Sequence, residues 1–327
     1  MLTRKDFISD IPVKWCAGCG NFIILSQLQN TFANIGIPKE NIVVVSGIGC
    51  AGRLPYYMDT YGFHTIHGRA PTIATGIKLT KPELQTWVLT GDGDGLSIGG
   101  NHLYHAMRKN IGLKIVMLNN QIYALTKGQV SPTSQVGSVT KTTPLGSIDN
   151  PINPIKFAIG AECAFVARSI DTEISLTQEI LDRAVKSDST VFIEILQKCV
   201  TFEVSGVNQI RDRELKEELI LRIRNGEPLI YGKNKDKGIV IENFKPKIIS
   251  FNPENIPENI VIYDETNDEL AYIISNLNYP EFPIPVGIFK TSNRTSYEKN
   301  YNDELKRNNI KDKSLKEILY DYEVIDI

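Results

Sequence analysis

The chain has 327 residues, 36 Lys and Arg against 38 Asp and Glu for a formal net charge of −2, and 42% apolar residues; that is room for one large α/β domain plus an appendage, around an ordinary core. Near-neutral charge and the lack of a Lys/Arg stripe interleaved with aromatics argue against nucleic acid as a partner. No apolar run approaches the roughly 18 residues of a membrane span, and Met1-Leu2-Thr3-Arg4-Lys5-Asp6 leads into no signal-peptide core, so a cytoplasmic protein is expected.

From the N-terminus, Asp10 to Asn21 is an irregular segment whose Gly-rich turn holds Cys16 and Cys19. Phe22-Ile23-Ile24-Leu25 and Leu28 then open an amphipathic helix that stops near Gly36. Trp15-Cys16-x-x-Cys19 also has the form of a thioredoxin redox site, but that motif follows a strand and none precedes it here. Ile42-Val43-Val44-Val45 is the first buried strand, and it ends in Ser46-Gly47-Ile48-Gly49-Cys50-Ala51-Gly52-Arg53, which puts Cys50 past a carboxyl end. Gly62 to Pro71 precedes a short helix with Pro71 near its first position. His67 there either faces bound phosphates or is a structural histidine.

Trp87-Val88-Leu89 and Ile115-Val116-Met117-Leu118 read as two further buried parallel strands. The first runs into Thr90-Gly91-Asp92-Gly93-Asp94-Gly95, the second into Asn119-Asn120-Gln121-Ile122-Tyr123. Asp92 and Asn120 thus both follow a strand's carboxyl end, where open α/β sheets bind ligands. Gly91 and Gly93 let the backbone turn tightly against a bulky anion, and the oxygens of Asp92 and Asn120 are hard ligands suited to Mg²⁺. A diphosphate held through Mg²⁺ is the natural occupant. An ordinary Gly-rich strand–turn–helix explains Gly-Asp-Gly alone but leaves Asn119-Asn120 without a purpose. A dinucleotide site is disfavoured, since the next strand ends in Asn119-Asn120 instead of an acidic residue for a ribose.

Ala124 to Asn150 shows no periodicity, and a long loop beside a candidate site is usually functional. Pro154 to Cys163 and Leu176 to Ala184 are expected helices around a strand near Phe165 to Ile170, with Cys163 a packed core thiol. Cys199 follows the strand Val191 to Leu196, so Cys50, Cys199, Asp92 and Asn120 should converge at one sheet edge. Five scattered cysteines are no disulfide framework. Cys16 and Cys19 can close a four-thiolate site with Cys50 and Cys199; the long, unequal gaps favour a 4Fe–4S cluster, with structural zinc as the alternative. Beyond Cys199 the composition shifts. Arg211 to Asn225 is expected to be a highly charged helix, and the appendage of residues 200–327 is folded but carries no catalytic constellation.

The pairing of Gly91-Asp92-Gly93 with Asn119-Asn120 resembles the thiamine-diphosphate motif. Together with Trp15-Cys16-x-x-Cys19-Gly20, Ser46-Gly47-Ile48-Gly49-Cys50, His67-Gly68-Arg69-Ala70, Asn120-x-Ile122-Tyr123-x-Leu125-Thr126-Lys127-Gly128-Gln129 and Cys199, it resembles the β subunits of 2-oxoacid:ferredoxin oxidoreductases over nearly the whole chain. Asn225-Gly226-Glu227-Pro228-Leu229 and Pro285-Val286-Gly287-Ile288-Phe289 resemble members assigned to 2-oxoglutarate. Ala17, Ala124 and Arg53 depart from the proline, glycine and substrate-side lysine common there; Arg53 keeps the charge but in a planar fork.

The resemblance implies a thiamine-diphosphate-binding α/β fold, with a central, mostly parallel sheet flanked by helices, over residues 1–199, and an extension over 200–327 packing on the core or on a partner subunit. It implies oxidative decarboxylation of a 2-oxoacid, 2-oxoglutarate before pyruvate, on thiamine diphosphate, with electrons passing singly through the cluster to ferredoxin and the acyl group passing to coenzyme A. Mg²⁺ would be held by Asp92, Asn120 and the carbonyl of Ile122. The cofactor would be lined by Ile48, Gly49, Cys50, Ala51, His67, Gly91, Gly93, Asp94, Ala124, Leu125 and Thr126. Arg53 and Lys127 are candidates for meeting substrate carboxylates or coenzyme A phosphates, or are surface cations. The carboxylate that activates thiamine would come from the pyrimidine-binding domain of an α subunit, in an αβ or (αβ)2 assembly. A non-redox thiamine decarboxylase subunit and a zinc-stapled binding module are the rival classes.

Overall fold

Short runs of aliphatic residues, with too little length between turns for helices, build the centre of the molecule. The computed structural model describes residues 2–202, 207–308 and 313–321. In chain order the elements are α1 (Asn21–Ile35), β1 (Ile42–Ser46), β2 (Tyr61–His64), α2 (Ala70–Thr80), β3 (Gln85–Gly91), α3 (Asp92–Leu96), α4 (Gly100–Lys109), β4 (Lys114–Asn119), the pair β5 (Ile122–Tyr123) and β6 (Gln129–Val130), α5 (Pro154–Gly160), β7 (Phe165–Ile170), α6 (Ile174–Val185) and β8 (Val191–Leu196). Then come α7 (Val207–Arg211), α8 (Lys216–Leu219), β9 (Ile220–Ile223), β10 (Ile230–Tyr231), β11 (Lys237–Glu242), β12 (Lys245–Ser250), α9 (Asp268–Ser275) and β13 (Ile284–Thr291). The main sheet runs β2-β1-β3-β4-β8-β7-β13-β9. It is parallel from β2 to β7; β13 then lies antiparallel to β7, and β9 parallel to β13.

Every residue of β1, β4, β7 and β8 is buried, as expected for parallel strands covered on both faces. Alternation divides them between two cores. Val44, Leu89, Val116 and Ile193 face Leu28 and Phe32 of α1 and Ile180 of α6. Val45, Val88, Ile115 and Phe192 face Leu103 and Met107 of α4 and Ile155 of α5. The helix α1 ends at Gly36, whose φ of 75° is the left-handed cap that glycine adopts without penalty. Among the described residues, no helix is long and apolar enough to cross a membrane.

Two expectations need correction. Arg211 to Asn225 is not one charged helix: it contains the short turn α8 and the strand β9, with Ile220 opposite Ile284 and Ile223 opposite Gly287. Ile220, Leu221 and Ile223 are almost wholly buried, so packing overrides the helical appearance of the charges. Arg222, the residue turned outward between them, is neutralised by Glu173 at 3.0 Å and Glu217 at 2.8 Å. Likewise α5 stops at Gly160, short of Cys163. The sequence gives no reason to expect a strand at β2: Tyr61 and Phe63 alternate over only four residues, all of them exposed on this edge strand, too short a run to mark a buried face. The main sheet runs across position 199/200, since β9 and β13 belong to it, while β10, β11 and β12 form a separate antiparallel sheet.

Candidate active site

β3 and β4 are neighbours in register, Gly91 opposite Leu118, so Asp92 and Asn120 emerge side by side from the same edge. A cavity of about 140 Å³ lies there, and every residue nominated for the cofactor except Ala124 lines it. Leu118, Tyr123 and Gln197 line it too. The Tyr123 hydroxyl donates to the Gly93 carbonyl at 3.0 Å, and a Cβ on Gly93 would stand 2.2 Å from the Tyr123 ring. Gly93 is therefore required by the ring as well as by the turn.

The two acidic residues of the motif do different work. Asp94 is clamped inside the protein: Oδ1 accepts from the backbone N–H of Ile48 at 2.9 Å and of Gly68 at 2.7 Å and from His67 Nδ1 at 2.6 Å, and Oδ2 accepts from the Thr90 hydroxyl at 2.7 Å. It ties the turn after β1 to the loop before α2 and aims His67. Asp92, also buried, accepts from the Thr133 hydroxyl at 2.7 Å on Oδ2. Burial pushes its carboxyl up to about 6, against the hydroxyls of Ser131 and Thr133, which favour the charged form. After β4, Gln121 takes a left-handed φ of 58°; its N–H donates to Asn119 Oδ1 at 3.0 Å, and the Ile122 N–H to Asn120 Oδ1 at 3.2 Å. This tight turn brings Asn120 and Ile122 to the same cavity wall.

Arg53 lines an adjoining cavity of about 420 Å³ with Lys14, Tyr56, Tyr57 and His64, and this cavity shares Ile48, Gly49 and Leu125 with the first. One Arg53 guanidinium nitrogen donates to the Lys14 carbonyl at 3.2 Å. Lys127 is exposed at a positive-φ turn and is not brought to either cavity. A larger cavity of about 910 Å³ between α1 and α6 holds none of the nominated residues, so volume does not select the site.

Cys16, Cys19, Cys50 and Cys199 come together from three parts of the chain. The Trp15 indole donates to the Cys50 carbonyl at 2.9 Å, and the Thr201 hydroxyl to Cys16 Sγ at 3.2 Å. The Cys50 thiol is pushed up to about 11, by burial first and then by Cys19, Cys199 and Cys16. Cys19 is raised by burial and by Cys199 and Cys16. Cys163 stands apart and fully buried, pushed up to about 12 by burial. Among the described residues, no three His, Cys, Asp or Glu side chains are grouped tightly enough for a single metal ion.

The donor sets suit the groups named from the sequence. Two side-chain oxygens and a carbonyl on one buried wall match a hard cation beside a diphosphate. The cavity is well under the roughly 300–1,000 Å³ of a pocket that encloses a whole drug-sized ligand, so this chain surrounds only part of such a cofactor. A 4Fe–4S cube offers a separate iron to each thiolate, so its four sulfurs need not meet at a point.

Residues 47–195 match the family model described as thiamine pyrophosphate enzyme, C-terminal TPP binding domain. That span includes Asp92 and Asn120 but leaves out Cys16, Cys19 and Cys199. The chain is similar to the 2-oxoglutarate oxidoreductase subunit KorB of Mycobacterium tuberculosis, with 46% identity over 297 residues, 90% of this chain and 79% of that protein. It is also similar to the 2-oxoacid:ferredoxin oxidoreductase subunit beta of Saccharolobus solfataricus, with 41% identity over 211 residues, 64% of this chain and 68% of that one. Its fold matches a solved 2-oxoglutarate:ferredoxin oxidoreductase from Magnetococcus marinus with 2-oxoglutarate, coenzyme A and succinyl-CoA bound, at a TM-score of 0.78 and 30% identity, covering 97% of this chain and 94% of that one.

Proposed function

Because the chain belongs to the β subunits of the 2-oxoacid:ferredoxin oxidoreductases, we propose that it binds Mg²⁺ and thiamine diphosphate in the Asp92–Asn120 cavity and a 4Fe–4S cluster on Cys16, Cys19, Cys50 and Cys199. It works in the cytoplasm with an α subunit that supplies the activating carboxylate, decarboxylating 2-oxoglutarate to an acyl-CoA and reducing ferredoxin. One observation carries this reading: Cys50 lines the cavity that holds Asp92 and Asn120 and is at the same time neighbour to the other three thiols. A non-redox decarboxylase subunit has no use for that juxtaposition.

Bound at this edge, the cofactor supplies an electron sink for decarboxylation and the cluster a one-electron acceptor beside it. The chain's own residues do the rest. Asp92, Asn120 and the Ile122 carbonyl hold the cation, and Asp94 keeps His67 and the turn after β1 in place around it. Because Cys50 itself lines the cavity, a cluster held on its sulfur would sit beside the cofactor. Arg53, in the adjoining cavity, is a cation that would meet the distal carboxylate of 2-oxoglutarate; the 2-oxoglutarate and succinyl-CoA bound to the Magnetococcus marinus enzyme and the similarity to the 2-oxoglutarate oxidoreductase subunit of Mycobacterium tuberculosis support that choice over pyruvate. Lys127 keeps a role only toward a partner or coenzyme A.

The test is reduction of methyl viologen by the assembled enzyme with 2-oxoglutarate, pyruvate or a branched-chain 2-oxoacid. The highest kcat/KM is expected with 2-oxoglutarate, and Arg53→Met should lower it more for 2-oxoglutarate than for pyruvate, since an unpaired carboxylate in a partly desolvated cavity is costly. A higher kcat/KM for pyruvate would overturn the substrate assignment, and equal losses would remove Arg53 from the distal carboxylate.

A further inference from the structure

Behind Asp92 the strands carry a line of polar side chains that the cofactor cavity itself does not explain. β4, β8 and β7 are apolar except at Lys114, Asn119, Glu194, Arg168 and Ser169, and of these Asn119, Glu194 and Arg168 join in one line. Arg168 Nε donates to Glu194 Oε2 at 2.6 Å, and Asn119 Nδ2 donates to Glu194 Oε1 at 2.7 Å. Asn119 Oδ1 receives the Gln121 N–H and lies 3.0 Å from the Thr133 hydroxyl, which is 2.7 Å from Asp92 Oδ2. Glu194 is 1% exposed, Asn119 1%, Thr133 2% and Arg168 5%.

A buried ion pair in a parallel sheet is poor evidence for stability, because desolvation offsets its attraction and apolar residues of similar volume do as well. Its geometry here serves orientation. Glu194, an acceptor with both oxygens engaged, compels Asn119 to present Nδ2 to it and therefore Oδ1 toward Thr133 and Gln121. Thr133 has a single hydroxyl proton, shared in a three-centre bond between Asp92 Oδ2 at 2.7 Å and Asn119 Oδ1 at 3.0 Å, with the charged carboxylate the stronger acceptor and the Ser131 hydroxyl 3.3 Å away. The Asp92 side chain is thereby tied through Oδ2 to the same hydroxyl that meets Asn119.

We propose that Glu194, anchored by Arg168, is a positioning residue that acts through Asn119 and Thr133 to fix the Asp92 carboxylate for the cation. This rests on the reading of Asp92 as a Mg²⁺ ligand. The hydrogen-bond line passes through Asn119, the first asparagine of the pair, which gives that residue a task distinct from that of Asn120.

The test is calorimetric titration of Mg²⁺ and thiamine diphosphate into the assembled enzyme, for wild type, Asp92→Ala, Glu194→Gln, Thr133→Val, Thr133→Ser and the Glu194→Gln/Thr133→Val double variant. Glu194→Gln and Thr133→Val are each expected to weaken binding by about 10–100-fold, the range for partners of metal ligands. Thr133→Ser should restore nearly wild-type affinity, and the double variant should lose little more than the worse single one, because both cut the same line. Wild-type affinity in a folded Glu194→Gln, or losses that add in the double variant, would overturn the proposal. If Glu194→Gln does not fold, the Thr133→Val and Thr133→Ser pair decides: equal affinities for the two would overturn it. Wild-type affinity in Asp92→Ala would instead overturn the reading of the cavity, a result separable from failure of the line behind it.

Discussion

The Asp92 cavity and the cysteine cluster meet at Cys50, yet the chain prepares them to different degrees. Around the cavity the groups are tied before any ligand arrives: Asp94 accepts from four donors, Asn119 and Asn120 each close a turn onto the backbone, and Thr133 holds Asp92. The thiols have few such ties. Cys16 is exposed, and burial together with the neighbouring sulfurs raises Cys19 and Cys50 away from the thiolate form that iron requires. A site tied in advance binds with little ordering cost, whereas a thiol set in which Cys19 and Cys50 are raised needs the charge of its metal to ionise them and to hold together. Loss of a ligand should therefore be graded at the cavity and close to all-or-none at the cysteines.

The largest effect is expected at the thiols. Cys19→Ser, Cys50→Ser or Cys199→Ser should abolish the visible iron–sulfur absorption of this subunit, and Cys163→Ser should leave it intact, because Cys163 lies in the core away from the other four. An unchanged spectrum in Cys199→Ser would break the comparison on that side. Next in size, Asp92→Ala and Asn120→Ala should each weaken thiamine diphosphate binding more than Glu194→Gln does, while circular dichroism shows an intact fold. Loss of folding in both would mean that these residues support the sheet instead of the ligand.

A smaller effect is expected from Gly93→Ala. The added methyl would sit 2.2 Å from the Tyr123 ring, and overpacking of this kind costs roughly 1–3 kcal/mol. The melting temperature should fall, and a second substitution, Tyr123→Ala, should recover part of the loss; no recovery would show that the ring is not the obstacle. The smallest and most diagnostic effect is on pH dependence. Burial raises the Asp92 carboxyl to about 6, so without ligand its contribution to stability is present below the ordinary carboxylate value and is lost as pH rises through about 6. Mg²⁺ needs the carboxylate, so cofactor affinity should run the opposite way and weaken as pH falls below about 6. Asp92→Asn should flatten both dependences; a slope that persists in that variant would belong to another group.

Much of this was legible from residues alone because the buried strands are short aliphatic runs, each closed by a chemically distinctive turn. β3 with Gly91-Asp92-Gly93 and β4 with Asn119-Asn120 needed only the rule that parallel strands share one edge. β9 escaped because its four residues are enclosed by charges whose partners, Glu173 and Glu217, cannot be known before folding. Asp92 and Asp94 look alike in sequence and both line the cavity; only the four donors around Asp94 show that its carboxylate is spent inside the protein. Thr133 lay in a stretch without periodicity, and Glu194 and Arg168 lay in strands where polarity reads as an exception. What joins them is long-range register, Glu194 beside Met117 on one side and Arg168 on the other, which no local pattern encodes.

The central claim, that one edge of this sheet holds both a metal–diphosphate site and an iron–sulfur cluster, is tested most directly by iron, acid-labile sulfide and thiamine diphosphate analysis of the anaerobically purified αβ enzyme, wild type against Cys50→Ser. The wild type should exceed the variant by about four irons and four sulfides per β chain, with thiamine diphosphate bound to the wild-type enzyme. Equal iron and sulfide in the two, or zinc lost from the variant in place of iron, would contradict it.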